Sequence, residues 1–367
     1  MSINRRDWLK TAFLGSAALT LSPLEFLAKN TPNFHELKND EKTIRLCFNE
    51  NPFGVSPKAL EAMQKSLSLS SMYDFKFADT LSAKLADKNQ LKQENILVAA
   101  GSSFLLELII KYVSLNKGHF IIPDPSFTIF EPIGEFLGMS KTVVPLNEQK
   151  RIDLDQMKSA IRKDTKLIYI CNPNNPTGDL LSRTEIESFI KSVPDNIMIL
   201  VDEAYIEFTN QRSLSDLVNT YKNLVVTRTF SKLYGFAGAR LGYAIGNPTL
   251  IKELKKLQSW SGAEISVTTM AGAIAALEDQ EFISKVLDNN QKVKDFTMSE
   301  FQKRGIKTIP SSANFVYFSL DNYKDNYFKK LKDSKILGGK TYEQTGKWTR
   351  ISLGTMEEMK VYFGAIS

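Results

Sequence analysis

Most of the short β-forming runs between residues 95 and 245 are continuously apolar instead of alternating with polar residues. The runs are Asn95 to Ala100, His119 to Ile122, Lys141 to Pro145, Leu167 to Cys171, Ile197 to Val201, Leu224 to Thr229 and Ala239 to Ile245, with longer helical patterns between them. A strand without a polar side has no face to turn to water, so both faces must be covered, as in a parallel sheet sandwiched between helices. This predicts an α/β layered domain with a mostly parallel central sheet. Beyond Ser261 the pattern changes. Helical stretches at Val267 to Leu277 and Ile283 to Arg304 lead to short strands at Asn314 to Leu320 and Thr349 to Leu353, which predicts a second, smaller α+β domain. A chain of 367 residues has room for two such domains. The expected boundaries are 1–30 for a targeting segment, 48–262 for the large domain, and 31–47 with 263–367 for the small one.

Composition removes several alternatives. Hydrophobic residues at 43% and charged residues at 24% fit a soluble globular chain and exclude a disordered polymer or a multi-span membrane protein. The 47 basic residues exceed the 41 acidic ones, but they are scattered and form no dense block with interleaved aromatics. Nucleic acid is therefore not an expected partner. Cys47 and Cys171 have no CxxC spacing, and with only His35 and His119 they make neither a disulfide framework nor a zinc site, so no metal is expected.

The N-terminus reads as an address. Asn4 to Lys10, with the Arg5-Arg6 pair and Trp8-Leu9, precedes an uncharged run from Thr11 to Leu21. This resembles a twin-arginine export signal. The run is well short of the ~20 residues that span a bilayer, so the expectation is an exported protein with no stable membrane anchor. Periplasmic location is the first reading and cytoplasmic the second.

Three segments carry chemistry. Gly101-Ser102-Ser103 lies between an apolar strand and a helical run, and free amides at a helix start suit an anion such as phosphate. Asn172-Pro173-Asn174-Asn175-Pro176-Thr177-Gly178 follows the strand ending at Cys171, and Val201-Asp202-Glu203-Ala204-Tyr205 ends another, placing Asp202 where open α/β sheets bind ligands. In Thr229-Phe230-Ser231-Lys232-Leu233-Tyr234-Gly235-Phe236-Ala237-Gly238-Ala239-Arg240 a lysine is embedded among apolar and glycine residues. Desolvation there favours a neutral amine able to form a Schiff base. Neither a P-loop nor a G-x-G-x-x-G is present, since the first glycine required before Gly339-Lys340-Thr341 falls on Ser334.

The ordered set resembles the fold-type I pyridoxal-phosphate aminotransferases of class I/II, and within them the histidinol-phosphate aminotransferase group, from Asn49-Glu50-Asn51-Pro52 to Arg350-Ile351-Ser352-Leu353-Gly354. The resemblance implies pyridoxal 5'-phosphate as cofactor in the large domain. It implies Lys232 and Asp202 as catalytic groups, Lys232 holding the cofactor and moving the proton and Asp202 pairing with the ring nitrogen. Asn175 and Tyr205 would bond the ring oxygen. Gly101, Ser102, Ser103, Thr229, Ser231 and Arg240 would form the phosphate cup, and Phe127 would stack on the ring. Tyr73 resembles the tyrosine that reaches the phosphate of a neighbouring subunit, which implies a homodimer; the proline usual between it and the following aspartate is absent here. Asn51, Lys340 and Arg350 would contact substrate. Where histidinol-phosphate enzymes carry a second arginine, this chain has Leu337-Gly338-Gly339-Lys340. A lysine point charge is not the bidentate fork that suits phosphate. The implied reaction is amino transfer from an amino acid or amino-phosphate to a 2-oxo acid. The alternatives are a phospho-amino-acid decarboxylase on the same cofactor and a non-catalytic binding protein of the same fold.

Overall fold

A computed structural model describes residues 43–367, apart from Ser259, Ser261, Asn322, Lys324, Asp325 and Gln344. The expected targeting segment at 1–30 and its arginine pair lie outside the described residues. The centre is a sheet of seven strands: β2 (Ile96–Ala99), β3 (His119–Asp124), β4 (Ser140–Pro145), β5 (Thr165–Cys171), β6 (Met198–Asp202), β7 (Leu224–Thr229) and β8 (Gly242–Gly246). Their order is β2-β8-β7-β6-β5-β3-β4, with only β8 antiparallel to its neighbours β2 and β7.

Both faces are buried, as the continuous apolar runs require. Along β5, Ile168 and Ile170 enter one core while Leu167, Tyr169 and Cys171 enter the other; along β7, Val226 and Val225 divide in the same way. Each such side chain removed from water contributes roughly 1.5–3 kcal/mol. Helix α1 (Pro57–Lys65), capped by Ser56 and opened by Pro57, and α2 (Phe75–Lys88), capped by Asp74, lie on the first core. On the opposite face lies α3 (Ser102–Ser114), with Leu105, Leu106, Leu108, Ile109 and Ile110 inward.

The expected strand from Ala239 begins at Gly242 instead, because Arg240 takes a positive φ of 60° that no strand residue adopts. Chain order reverses between β3 and β5, so the loops after these strands flank the crevice where such sheets take ligands.

A second sheet, ordered β12-β10-β9, joins β9 (Thr308–Ile309), β10 (Phe315–Ser319) and β12 (Trp348–Ser352), all antiparallel. It packs on its own core of Val316, Phe318, Phe301, Tyr362 and Phe363. Two-residue β1 (Ile44–Arg45) pairs in parallel with β11 (Ile336–Leu337), so the start of the described chain is woven into its end. Helix α8 (Val267–Glu278) packs on α1 and α2, and the long α9 (Gln280–Lys303) gives Ile283 and Val286 to the large core and Val293 and Phe301 to the small one. The large core thus reaches past the boundary expected at residue 262. Among the described residues, no helix is long and apolar enough to cross a membrane.

Candidate active site

Asp202 ends β6 with its side chain buried, on the face of the sheet that carries Tyr169 and Cys171 of β5. The Tyr169 hydroxyl donates to Oδ2 at 3.4 Å and the Thr227 hydroxyl to Oδ1 at 3.2 Å. Burial pushes the carboxyl up to about 6, against the pull of those two hydroxyls. The site therefore holds a carboxylate that gains from a cationic partner. Tyr205, three residues on, is buried with its ring edge on Phe315 at 5.1 Å, and its hydroxyl accepts from Asn49 Nδ2 at 2.9 Å.

The glycine turn before α3 is built for close approach. Gly101 sits at the N-cap with φ 98°, and Ser102 and Ser103 stand in the first helical turn, where amides have no intrahelical acceptor. Gly242 crosses so near that a Cβ there would lie 2.4 Å from the Ser102 amide nitrogen and 3.0 Å from the Arg228 carbonyl. From the adjoining strand end, Thr229 Oγ1 accepts the Ser231 amide at 3.1 Å, and the Arg240 guanidinium lies 3.4 Å from the Ser231 hydroxyl and beside Gly101. Helix amides, two hydroxyls and a guanidinium thus lie close together around the Gly101 turn, which is the donor set a phosphate dianion needs.

Lys232 follows this cup. Its ammonium donates to the Phe48 carbonyl at 2.9 Å and lies 5.8 Å from the Tyr205 ring centre. Burial, then the Arg350 guanidinium, lower it from 10.5 to about 7. It is poised to act as a free amine near neutrality.

Arg350, in β12, is buried between the rings of Phe315 at 5.2 Å and Tyr342 at 5.1 Å. One terminal nitrogen bonds Asn175 Oδ1 and the other the Cys47 carbonyl at 2.7 Å, while Nε has no hydrogen-bond partner among the described residues. The Lys340 ammonium lies 5.9 Å from the Tyr342 ring centre, and partial desolvation there, then the Arg350 guanidinium, lower it.

The structure thus brings together Asp202, Tyr205, Lys232, Arg350 and Asn175 with the residues of the cup. Phe127, half-buried, lies on the loop after β3 beside Ser126, whose hydroxyl donates to Asn174 at 2.7 Å. Asn51 is engaged with the backbone, donating to the Leu233 carbonyl at 2.8 Å and accepting from Phe53. Tyr73 is 70% exposed and packs 4.5 Å from the Trp260 ring. Sequence reasoning missed Tyr169, Thr227, Asn49 and Tyr342. Thr227 is readable from strand alternation, being two residues before Thr229; the other three depend on contacts across the fold. No cluster able to hold a metal occurs among the described residues.

A desolvated lysine, a phosphate cup and a buried carboxylate at adjoining strand ends fit pyridoxal phosphate; they define a pyridoxal-phosphate enzyme of the aminotransferase type. The chain belongs to the aminotransferase class I and II family, whose model matches residues 41–366. It is 35% identical over 341 residues to histidinol-phosphate aminotransferase 2 of Hydrogenovibrio crunogenus, covering 90% of each chain. Among solved structures it resembles a putative histidinol-phosphate aminotransferase from Erwinia carotovora atroseptica (TM-score 0.84, 31% identity, 89% of this chain and 95% of that one). It also resembles the pyridoxal-5'-phosphate complex of histidinol-phosphate aminotransferase from Sinorhizobium meliloti (TM-score 0.82, 25% identity, 95% and 94%).

Proposed function

We propose that this aminotransferase moves the amino group of an anionic donor, an amino acid or an amino-phosphate of the histidinol-phosphate kind, to a 2-oxo acid, and that it does so as an exported homodimer. The observation that carries the reading is the half-buried Lys232 amine, lowered to about 7 beside both the phosphate cup and Arg350. Pyridoxal phosphate bound at this lysine supplies the electron sink that allows an amino substrate to release its α-proton. Lys232 would act as the base and then the acid for that proton, the two jobs a flexible neutral amine can do in turn. Asp202 balances positive charge at the ring nitrogen. The Asn175 side chain and the Tyr205 hydroxyl hold the ring oxygen, Phe127 covers the ring, and Gly101, Ser102, Ser103, Thr229, Ser231 and Arg240 hold the phosphate.

Arg350 grips the substrate anion, with Lys340 and Asn51 beside it. Kinship with enzymes named histidinol-phosphate aminotransferases supports a phosphorylated donor; the single positive charge of Lys340 supports an amino acid carboxylate. Exposed Tyr73 belongs to a subunit interface and serves the partner's phosphate, and the Arg5-Arg6 segment directs export of the folded holoenzyme. One experiment tests the core of this reading. Holoenzyme is mixed singly with amino acids and with histidinol phosphate, following conversion of the bound cofactor to pyridoxamine phosphate and assaying oxo acid against carbon dioxide. Oxo product with pyridoxamine phosphate is expected; carbon dioxide release would replace amino transfer with decarboxylation, and no response to any donor would remove the enzymatic reading. Sedimentation equilibrium tests the dimer, and fractionation after replacing Arg5 and Arg6 with lysines tests export.

A further inference from the structure

Tyr169 is fully buried in mid-strand, its ring packed edge-on to Phe130 at 5.0 Å between centres. A tyrosine in such a place must find a partner for its hydroxyl or lose the hydrogen bonds it had in water. It donates to Asp202 Oδ2 at 3.4 Å and also lies against the Cys171 thiol, and Thr227 from the strand on the other side takes Oδ1 at 3.2 Å. The carboxylate is thus held by one hydroxyl from each neighbouring strand, with the Ala204 amide as a third donor.

We infer that Tyr169 is a positioning residue for the cofactor's ring nitrogen, acting through Asp202: its phenol hydrogen bond keeps the carboxylate ionised and fixed in orientation, so that the nitrogen stays protonated. The inference rests on the assignment of Asp202 to that nitrogen. A hydroxyl can donate to a carboxylate and stabilise the charge; a protonated carboxyl gains much less from the same donor, so the contact favours the ionised form. Every group around Asp202 is consistent with a balance that Tyr169 tips. From β5 come Tyr169 and Cys171, from β7 comes Thr227, and Lys232 follows that strand. From its own segment come the Ala204 amide, Tyr205 and the buried Glu203, whose charge opposes ionisation. Ring packing against Phe130 seats the aromatic ring independently of its hydroxyl, so deleting the oxygen keeps that packing.

The test uses holoenzyme reconstituted with pyridoxal phosphate labelled with nitrogen-15 in the ring, in the parent, Tyr169→Phe and Asp202→Asn forms. The nitrogen chemical shift reports protonation directly, without turnover. In the parent the nitrogen is expected to remain protonated from pH 6 to 9. In Tyr169→Phe its midpoint should fall by about one pH unit or more, the size expected for losing one hydrogen bond to a charged group. The visible cofactor band should titrate at higher pH, and kcat should fall severalfold with the donor KM within about twofold. Asp202→Asn should lose protonation outright. If Asp202→Asn shifts the nitrogen signal and Tyr169→Phe does not, the role of Tyr169 is overturned while the assignment of Asp202 stands. If Asp202→Asn leaves the signal unchanged, both fall. Should the phenylalanine form fail to fold, Tyr169→Met is read in the same way.

Discussion

The Lys232 ammonium donates to the Phe48 carbonyl at 2.9 Å, a contact across 184 residues that holds the amine between the phosphate cup and Arg350. Borohydride reduction of the holoenzyme followed by peptide mapping should therefore place the phosphopyridoxyl adduct on Lys232, and Lys232→Ala should abolish transamination. An adduct on another lysine would sink the assignment.

The lowered amine also sets a pH dependence. Its folded value, about 7, lies below the 10.5 of an ordinary lysine, so the unfolded chain binds more protons between these limits. Stability of the cofactor-free protein should rise with pH through that window from this group, and its destabilising effect should be complete below about 7. Imine formation needs the neutral amine. The rate at which apoprotein recombines with pyridoxal phosphate, followed by absorbance, should thus climb to pH ~7 and level off above it. An inflection near 10 would contradict the burial argument.

Removing the Arg350 guanidinium should weaken donor binding far more than cofactor binding, since Arg350 bonds the Cys47 carbonyl and reaches the cofactor only indirectly, through Asn175. Arg350→Ala should raise the donor KM on the order of 100-fold, the usual loss for a charge-assisted bidentate contact. Equilibrium dialysis should show pyridoxal-phosphate affinity nearly unchanged; release of the cofactor instead would reassign the residue.

Gly242 tests the cup by sterics. A methyl group on it meets the Ser102 amide nitrogen and the Gly101 carbonyl carbon, both backbone atoms with little freedom to retreat. Gly242→Ala should lower pyridoxal-phosphate affinity at least tenfold, measured by titration of the apoprotein. Unchanged affinity would mean the turn is not the phosphate site.

On the opposite face of β7, Arg228 pairs with Glu207 at 2.8 Å, both side chains 8% exposed. Truncating one partner strands a buried charge. Glu207→Ala should cost about 3–5 kcal/mol in denaturant unfolding, whereas replacing both residues with apolar ones of similar volume should cost far less. A single variant within 1 kcal/mol of the parent would show that water reaches the pair.

The layered fold was legible in the sequence because burial on both faces leaves a local mark. Phe120 to Ile122, Leu167 to Cys171 and Leu224 to Val226 are apolar runs that can be read with no knowledge of their neighbours. Arg240 marks the limit. It stands in a stretch that runs straight into the apolar Leu241 to Ile245, yet its positive φ turns the backbone so that the guanidinium faces Gly101, a demand imposed by tertiary structure. The site divides likewise. Lys232 and Asp202 announce themselves by what surrounds them in the chain. Asn49 gains meaning only through Tyr205 and Ser352, at separations of 156 and 303 residues, and Tyr342 only through the fold that lays its ring on Arg350.

Those separations set a timetable for the nascent chain. Cys47 leaves the ribosome 303 residues ahead of Arg350, an interval on the order of 15–60 s at ordinary rates of synthesis. Throughout it the Cys47 carbonyl waits, and although Lys232, the partner of the Phe48 carbonyl, and the cup emerge well before the end, the wall formed by β12 does not yet exist. Capture of the cofactor in its final surroundings is therefore a step that follows termination of translation, and a chain halted before Trp348 carries the reactive lysine without the arginine beside it.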